Sequence, residues 1–572
     1  MKRRTKWWIL AAGVAAVAVG AAAVGGLALV LRGPASTGVR FGGASYLDIR
    51  LEGEVPEAPS PDFTSFLERR PTSLRTFVES LDRAATDPNV KAVVLRVSFL
   101  GTGWGRVQEL RAAVQRFRRS GKPAYAHIEF CGNKEYYLAT ACSKVYAVPT
   151  AILQVSGLAA EVTFFRKTLD KLGIQAQFEG VGKYKNAPNT FTESAFTAPH
   201  REQMDALLDS IYADFVSSIA QGRGKTADEV RRLVDRGPYD APEALRVGLV
   251  DELLYRDELE SKLSGASRVT PGRYVRGLRS LLDRRPKVAV VYAVGDIMPG
   301  ESEGGTFGGE GSAGSDTISA AIREARTDED IRAIVLRVDS PGGFGPAADV
   351  IRREVQLARK AKPIVISMGD TAASGGYYVT IGSSAIVAQP ATITGSIGVF
   401  SGKFNLRGLY DKLGVTKEIL TRGAHAAIFT SYRPWTEEER TRVRDQNVAF
   451  YKEFVRKVAE GRGKSYETID AVAQGRVWTG ADALERGLVD RLGGLEEAVA
   501  LAKEKARIRK EQEVSLVILP PRKGFLDLLW SRQEEDSVER VLPLDLQALL
   551  RWIRSWNPDG PMARLPFHLT IR

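Results

Sequence analysis

The chain runs to 572 residues, which favours more than one domain, and at 44% hydrophobic and 26% charged it is ordinary globular material rather than a disordered or fibrous chain. Its net charge of +12, from 81 basic against 69 acidic residues, is spread along the chain without the interleaved basic and aromatic stripe of nucleic-acid binders. No nucleic-acid partner is expected, and an anionic membrane surface suits the charge better.

The N-terminus is the first informative stretch. Lys2, Arg3, Arg4 and Lys6 precede an uncharged apolar run, Trp7–Leu31, long enough to cross the ~30 Å hydrocarbon core of a bilayer. Cations before the run, and only Arg32 just after it, put the N-terminus inside and the bulk of the chain outside the cytoplasm. A cleaved signal peptide would have an apolar core of about 7–15 residues, so an N-terminal transmembrane helix is the expectation. Residues 1–6 are then cytoplasmic, 7–31 form the anchor, and Gly33–Gly43 is a linker.

Beyond the linker one plan is written twice. Strand-like runs open each copy, Tyr46–Leu51 and Val288–Tyr292. Val90–Val97 (VKAVVLRV) then matches Ile331–Val338 (IRAIVLRV), and Tyr136-Tyr137-Leu138 matches Tyr377-Tyr378-Val379 at the same offset. Gly222-Arg223-Gly224-Lys225 recurs as Gly461–Lys464, and Gly248–Asp251 as Gly487–Asp490. Apolar runs alternate with helix-length amphipathic stretches, Val107–Arg119 in one copy and Thr317–Ala325 and Ala347–Lys360 in the other. That alternation predicts βαβ units and a mostly parallel sheet in each copy. The predicted domains are 44–254 and 287–504, joined by a connector, 255–286, of helical pieces broken at Pro271-Gly272. Ser302–Ser315 is Gly/Ser-rich and reads as a surface loop or a lid. The tail, 505–572, has helix-like runs at Leu526–Trp530 and Leu544–Trp556 and no evident counterpart in the first copy. Cys131 and Cys142 fit either one disulfide or two buried free thiols, and neither they nor the four histidines sit at metal-ligand spacing.

Differences between the copies point to chemistry. The strand-like run Pro363–Ser367 leads into Gly369-Asp370-Thr371 and then Ala372-Ala373-Ser374-Gly375-Gly376, a serine among small residues at a tight strand-to-helix turn. An N-cap serine on a Gly-Ala turn reads the same way, but a helix starting there also aims free N–H groups at any oxyanion held on the serine. The equivalent position in the first copy is Asn133. After the preceding strand comes Asp339-Ser340-Pro341-Gly342-Gly343, where the first copy has Ser98–Thr102 and no Pro-Gly-Gly. The N–H groups of Gly343 and Gly375 are therefore the candidate oxyanion hole. A serine needs a base. His425 is one candidate; Lys185, in VGKYKNA of the first copy, falls opposite Ala426 and is the other. A lysine base must be neutral, through burial or a nearby cation such as Lys183.

GDTAASGGYYV, the DSPGG turn, Thr394–Phe400 (TGSIGVF) and GKYKNA together resemble the signal peptide peptidase A, or protease IV, family in its long, duplicated, membrane-anchored form. The resemblance implies tandem Clp-protease/crotonase-like α/β domains and a serine endopeptidase with Ser374 as nucleophile and Lys185 as base. It implies no cofactor or metal. Substrates would be remnant signal peptides and other apolar peptides, met at the extracytoplasmic face of a bacterial inner membrane. It also implies a homo-oligomer, a tetramer. A Ser374–His425 peptidase, an inactive membrane scaffold and an acyl-CoA enzyme of crotonase type are the alternatives.

Overall fold

The computed structural model describes residues 43–57, 72–277, 285–303, 311–520, 562–564 and 570–571. The anchor Trp7–Leu31 and the tail runs Leu526–Trp530 and Leu544–Trp556 lie outside these residues. Among the described residues no helix is long and apolar enough to cross a membrane.

Each half builds one α/β sheet. In the first, the strand order is Tyr239–Asp240, Lys144–Leu153, Ala124–Cys131, Val90–Leu100, Ser45–Gly53, Ser267–Val269. In the second it is Val477–Thr479, Ile393–Gly395, Ile364–Ala373, Ile331–Ser340, Lys287–Val294, Ser515–Leu519. Neighbours are parallel except the first pair in each order. Parallel sheets are covered on both faces, which is why Val90–Val97 and Ile331–Val338 read as nearly unbroken apolar runs. Helices Leu74–Thr86 and Ser315–Thr327 supply part of that cover. Phe77, Leu81 and Ala84 are buried in one, and Ile318, Ile322 and Ala325 in the other, a stripe at helical spacing repeated between copies. Ser73 caps the first of these helices by accepting the N–H of Thr76.

Two stretches differ from expectation. Ser267–Val269, in the expected connector, is the edge strand beside Ser45–Leu47, and Pro271 opens the short helix Pro271–Gly277 instead of breaking one. Ser515–Leu519, in the tail, pairs with Lys287–Val291 at the equivalent edge of the second sheet, so this part of the tail does have a counterpart in the first copy. Such short runs carry too little periodicity to announce themselves as strands. Cys131 and Cys142 are buried free thiols. Burial pushes both up, Cys142 to about 12, which leaves them protonated and unreactive.

A third sheet joins the halves, in the order Ser312–Gly314, Asp296–Met298, Gly342–Phe344, Met562–Arg564, Val399–Asn405, Gln175–Val181. Gln175–Val181 of the first half lies antiparallel along Val399–Asn405 of the second. Met562–Arg564 runs antiparallel to Gly342–Phe344. The end of the Gly/Ser-rich run is thus a strand, while residues 304–310 of it lie outside the described residues.

Buried charge locks the halves as well. Arg337, fully buried in the second sheet, donates to both oxygens of Glu57 at 3.0 and 2.9 Å and to Glu109 at 2.9 Å, both residues of the first half. It also donates to Ser367 Oγ at 2.8 Å and to the Met368 carbonyl at 3.1 Å. Burial works against the charge, but Glu109 and Glu57 outweigh it and hold the guanidinium above its ordinary value. Arg337→Met strands two buried carboxylates. It is expected to cost about 3–5 kcal/mol in denaturant unfolding; a loss no larger than a surface pair's, about 1 kcal/mol, would show the lock to be dispensable.

Candidate active site

The strand Ile364–Ala373 ends one residue before Ser374, and the short helix Gly375–Tyr378 begins one after it. Ser374 therefore sits at the strand-to-helix turn expected from its neighbours. Its backbone, at φ 56° and ψ −114°, is in a region that costs a non-glycine residue on the order of 1–3 kcal/mol. Two bonds hold it there: its N–H donates to the Gly395 carbonyl, and Tyr378 N–H donates to its own carbonyl, both at 2.8 Å. Gly376 lets the helix settle onto the DSPGG turn, since a Cβ there would lie 2.5 Å from the Ser340 carbonyl oxygen. Gly343, with φ 149°, runs so close to Ile297 that a Cβ would meet its carbonyl oxygen at 2.1 Å. Gly375 is the helix's first residue, where the N–H has no intrahelical acceptor.

The lysine comes from the other half. After Gln175–Val181 the chain turns at Gly182 and buries Lys185, which is 5% exposed. Its Nζ lies 2.7 Å from Ser374 Oγ, 2.9 Å from Ser396 Oγ and 3.1 Å from the Ser396 carbonyl oxygen, all within hydrogen-bond reach. Burial pushes this amine well below the ordinary lysine range. Lys183 has no part in that shift: it is exposed and lies over the Tyr184 ring, 4.6 Å from its centroid. His425 directs its Nε2 to Glu438 at 3.4 Å and, among the described residues, shares no hydrogen bond with Ser374.

Sequence reasoning missed two parts of this site. Ser396 lies within TGSIGVF, but nothing in the sequence distinguishes its hydroxyl from that of a turn serine; its φ of 51° is the structural mark. The other is the turn Gln474–Arg476, at the far end of the second half. Tyr184 N–H donates to the Gln474 carbonyl at 2.9 Å, Gly475 N–H to the Ile397 carbonyl at 2.8 Å, and Ser396 N–H to the Arg476 carbonyl at 2.7 Å. This turn thus ties the lysine loop to the Ser396 loop. Tyr184 OH adds a side-chain tie, donating to Glu202 at 2.9 Å and accepting from Arg476 at 3.0 Å.

Among the described residues no three His, Cys, Asp or Glu side chains gather as a metal-holding set. A buried serine hydroxyl bonded to a buried lysine amine, on a parallel α/β frame, is the constellation of a serine peptidase that uses lysine where others use histidine. The chain belongs to peptidase family S49, whose profile matches residues 116–270 and again 356–509, once in each half. It is similar to the chloroplastic serine protease SPPA of Arabidopsis thaliana, at 34% identity over 500 residues, 85% of this chain and 73% of that one. Protease 4 of Salmonella typhi is 32% identical over 497 residues, 84% of this chain and 78% of its own. A mutant 1510-N membrane-bound stomatin-specific protease, a solved structure, aligns with 42% of this chain and 99% of its own at 17% identity and a TM-score of 0.26. The chain is a serine endopeptidase of the S49 family.

Gly475 has φ 74°, and a Cβ on it would stand 2.6 Å from Lys185 Cβ. Gly475→Ala is expected to displace the amine from Ser374 and lower kcat on a peptide ester by about 100-fold, the scale of a 1 Å misplacement. A variant within about twofold of the parent would show that the loop tolerates the shift.

Proposed function

We propose that this chain is a membrane-anchored endopeptidase in which Ser374 and Lys185 form the catalytic dyad and Gly343 and Gly375 the oxyanion hole. The observation that carries the reading is the 2.7 Å contact between the Lys185 amine and Ser374 Oγ, made by an amine that burial pushes well below the ordinary lysine range. Neutral Lys185 takes the hydroxyl proton as Oγ attacks the peptide carbonyl. The N–H groups of Gly343 and Gly375 receive the developing oxyanion. Lys185 then protonates the leaving amine, deprotonates a water, and the water releases the acyl group. Ser396, with two oxygens on the same amine, aims its free electron pair at Ser374.

An extended substrate suits the frame. The side of Gly342–Phe344 away from Asp296–Met298 takes an antiparallel strand, Met562–Arg564, from this chain's own tail, and a peptide backbone in place of that strand would reach Gly343 in the same way. The resemblance to signal peptide peptidase A supports the finer points: two Clp/crotonase-like domains, Trp7–Leu31 as a single-pass anchor, catalysis at the extracytoplasmic face, and a homo-oligomer, taken as a tetramer. Remnant signal peptides and other apolar peptides in the membrane are then the substrates an anchored enzyme meets.

Ser374→Ala and Lys185→Ala are expected to lower turnover of a peptide ester by about three orders of magnitude or more, with His425→Ala within about twofold of the parent. Loss of turnover in His425→Ala with retention in Lys185→Ala would transfer the base to histidine. The pH dependence is set by Lys185's lowered value: the neutral base exists above it and is lost as pH falls through it. The acid limb of kcat/KM should therefore titrate below the free-lysine value of about 10.4. A limb at the free-lysine value would rule out a buried neutral amine as base.

A further inference from the structure

We propose that Arg106, contributed by the first half, is a positioning residue for the reaction: it holds together the two strands of the second half that carry Gly343 and Ser374. The inference rests on the reading of those two residues as parts of the reacting centre.

The strands Ile331–Ser340 and Ile364–Ala373 pair regularly up to Val338 opposite Met368, and resume with Ser340 opposite Ala372. Between those pairs Gly369, Asp370 and Thr371 bulge against the single residue Asp339. A bulge re-aims the chain beyond it. Here the re-aimed segments are Ser340–Gly343 on one strand and Ser374 on the other. The bulge also sets two carboxylates side by side with little solvent, Asp339 at 4% and Asp370 at 12% side-chain exposure.

Arg106 reaches both. Its Nη2 lies 2.9 Å from Asp339 Oδ2, and its Nε donates to Asp370 Oδ2. Backbone completes the grip: the N–H groups of Gly103 and Arg106, at the start of helix Trp104–Arg118, donate to the two Asp370 oxygens at 3.0 and 2.6 Å. Glycine at 103 makes the approach feasible, since a Cβ there would lie 2.4 Å from Asp370 Cγ. Asp339 Oδ1 in turn accepts Thr371 N–H at 2.9 Å, closing the bulge. Glu54 lies 2.9 Å from Nη1 of the guanidinium, and Glu57 3.7 Å from Nε. Lys134 also faces Asp370, from the helix Asn133–Ala139.

The repeat argues that this cluster serves the site and not the fold in general. At the same offset the counterparts of Arg106, Asp339 and Asp370 are Ala347, Ser98 and Glu129. The cation and its pair of aspartates occur once, around the strands that end in the Gly-Gly turn and the serine. Without the cation the two carboxylates repel, the bulge opens, and the Gly343 N–H moves relative to Ser374. The lysine is held by Ser396 and, through its loop, by Gln474–Arg476, so its proton chemistry stays as it was.

Arg106→Met in the full chain is expected to lower kcat about 10- to 100-fold with KM within about threefold. The acid limb of the pH profile should not move. Affinity for a peptide boronate, which places an oxygen at the oxyanion position, should fall with kcat. Affinity for an uncleavable amide of the same sequence should not change. Arg106→Lys should lie between Met and parent, and guanidinium ion should restore part of the kcat of Arg106→Gly. The proposal is overturned if kcat in Arg106→Met stays within about twofold of the parent. It is equally overturned if boronate and amide affinities fall together and guanidinium restores nothing, since the residue would then only stabilise the fold. Ser374→Ala assayed in parallel separates this from the underlying reading: parent-like turnover in that variant removes the assignment of the reacting centre, whatever Arg106 does.

Discussion

A lysine amine buried against a serine hydroxyl is the contact on which the remaining architecture depends. An amine in that position has two states, and burial shifts the balance between them: taking the charge out of water is costly, so the amine is moved toward the neutral form. The environment of Lys185 keeps to that rule. Its partners are the hydroxyls of Ser374 and Ser396 and one carbonyl, which can hydrogen-bond a neutral amine without forcing it to ionise. A carboxylate in their place would pull the amine's pKa back up. The acids and guanidinium groups of the region lie further out, where Arg106 and Arg337 consume them in pairs.

The constraint also explains why the two halves interlock so thoroughly. The amine belongs to one half and the hydroxyl to the other, so a small shift between halves would separate them. Three devices of different kinds oppose such a shift. Gln175–Val181 is zipped along Val399–Asn405 directly before the lysine loop. The turn Gln474–Arg476 bonds the loop from below. The buried ion pairs of Arg337 with Glu57 and Glu109 join the sheet of one half to the helix Trp104–Arg118 and the segment around Glu57 in the other. Buried ion pairs contribute little net stability compared with apolar packing, but they tolerate displacement badly. That intolerance is useful where a 2.7 Å contact must be kept.

Much of this is legible in the chain alone, and for identifiable reasons. Parallel strands buried on both faces leave continuous apolar runs, so Val90–Val97 and Ile331–Val338 mark the sheets and expose the duplication. Glycines that a Cβ would push into backbone, such as Gly343 and Gly376, stand out as a cluster beside Ser374. Comparison between copies makes Lys185 a candidate beside His425, and only the resemblance to the signal peptide peptidase A family, which implies that Asn133 and Ala426 are complementary losses, singles it out. The hidden parts depend on partners distant in sequence. Ser396 looks like any turn serine until Lys185 is laid beside it. Gly475 has no signal of its own, since its constraint is the lysine backbone from the other half. Lys183 invites a role because it is close in sequence, yet it is exposed on the irregular loop while Lys185, two residues on, is buried. Edge strands such as Ser515–Leu519 are set by the exposed backbone of their neighbour, not by a pattern within themselves.

The first copy shows what becomes of such a turn when its chemistry is given up. Asn133, in the serine's place, spends its side chain on structure: it accepts the N–H groups of Ser156 and Gly157 at 3.2 and 3.3 Å and donates to the Gly157 carbonyl at 2.8 Å. Lys134 occupies the position of Gly375, and its amine donates to the carbonyl of Thr102, the counterpart of Gly343, at 2.7 Å. Glu135, in place of Gly376, accepts the N–H groups of Leu100 and Gly132. The positions held in the second copy by Ser374, Gly375 and Gly376 are here filled by side chains bonded to the protein itself. In the second copy glycine at 343 and 376 instead lets backbone close onto backbone around Ser374, so the small residues there are not a by-product of the shared fold. The same fold takes larger, hydrogen-bonded side chains readily, and doing without them around Ser374 obliges the rest of the molecule to supply the rigidity that those side chains would have given.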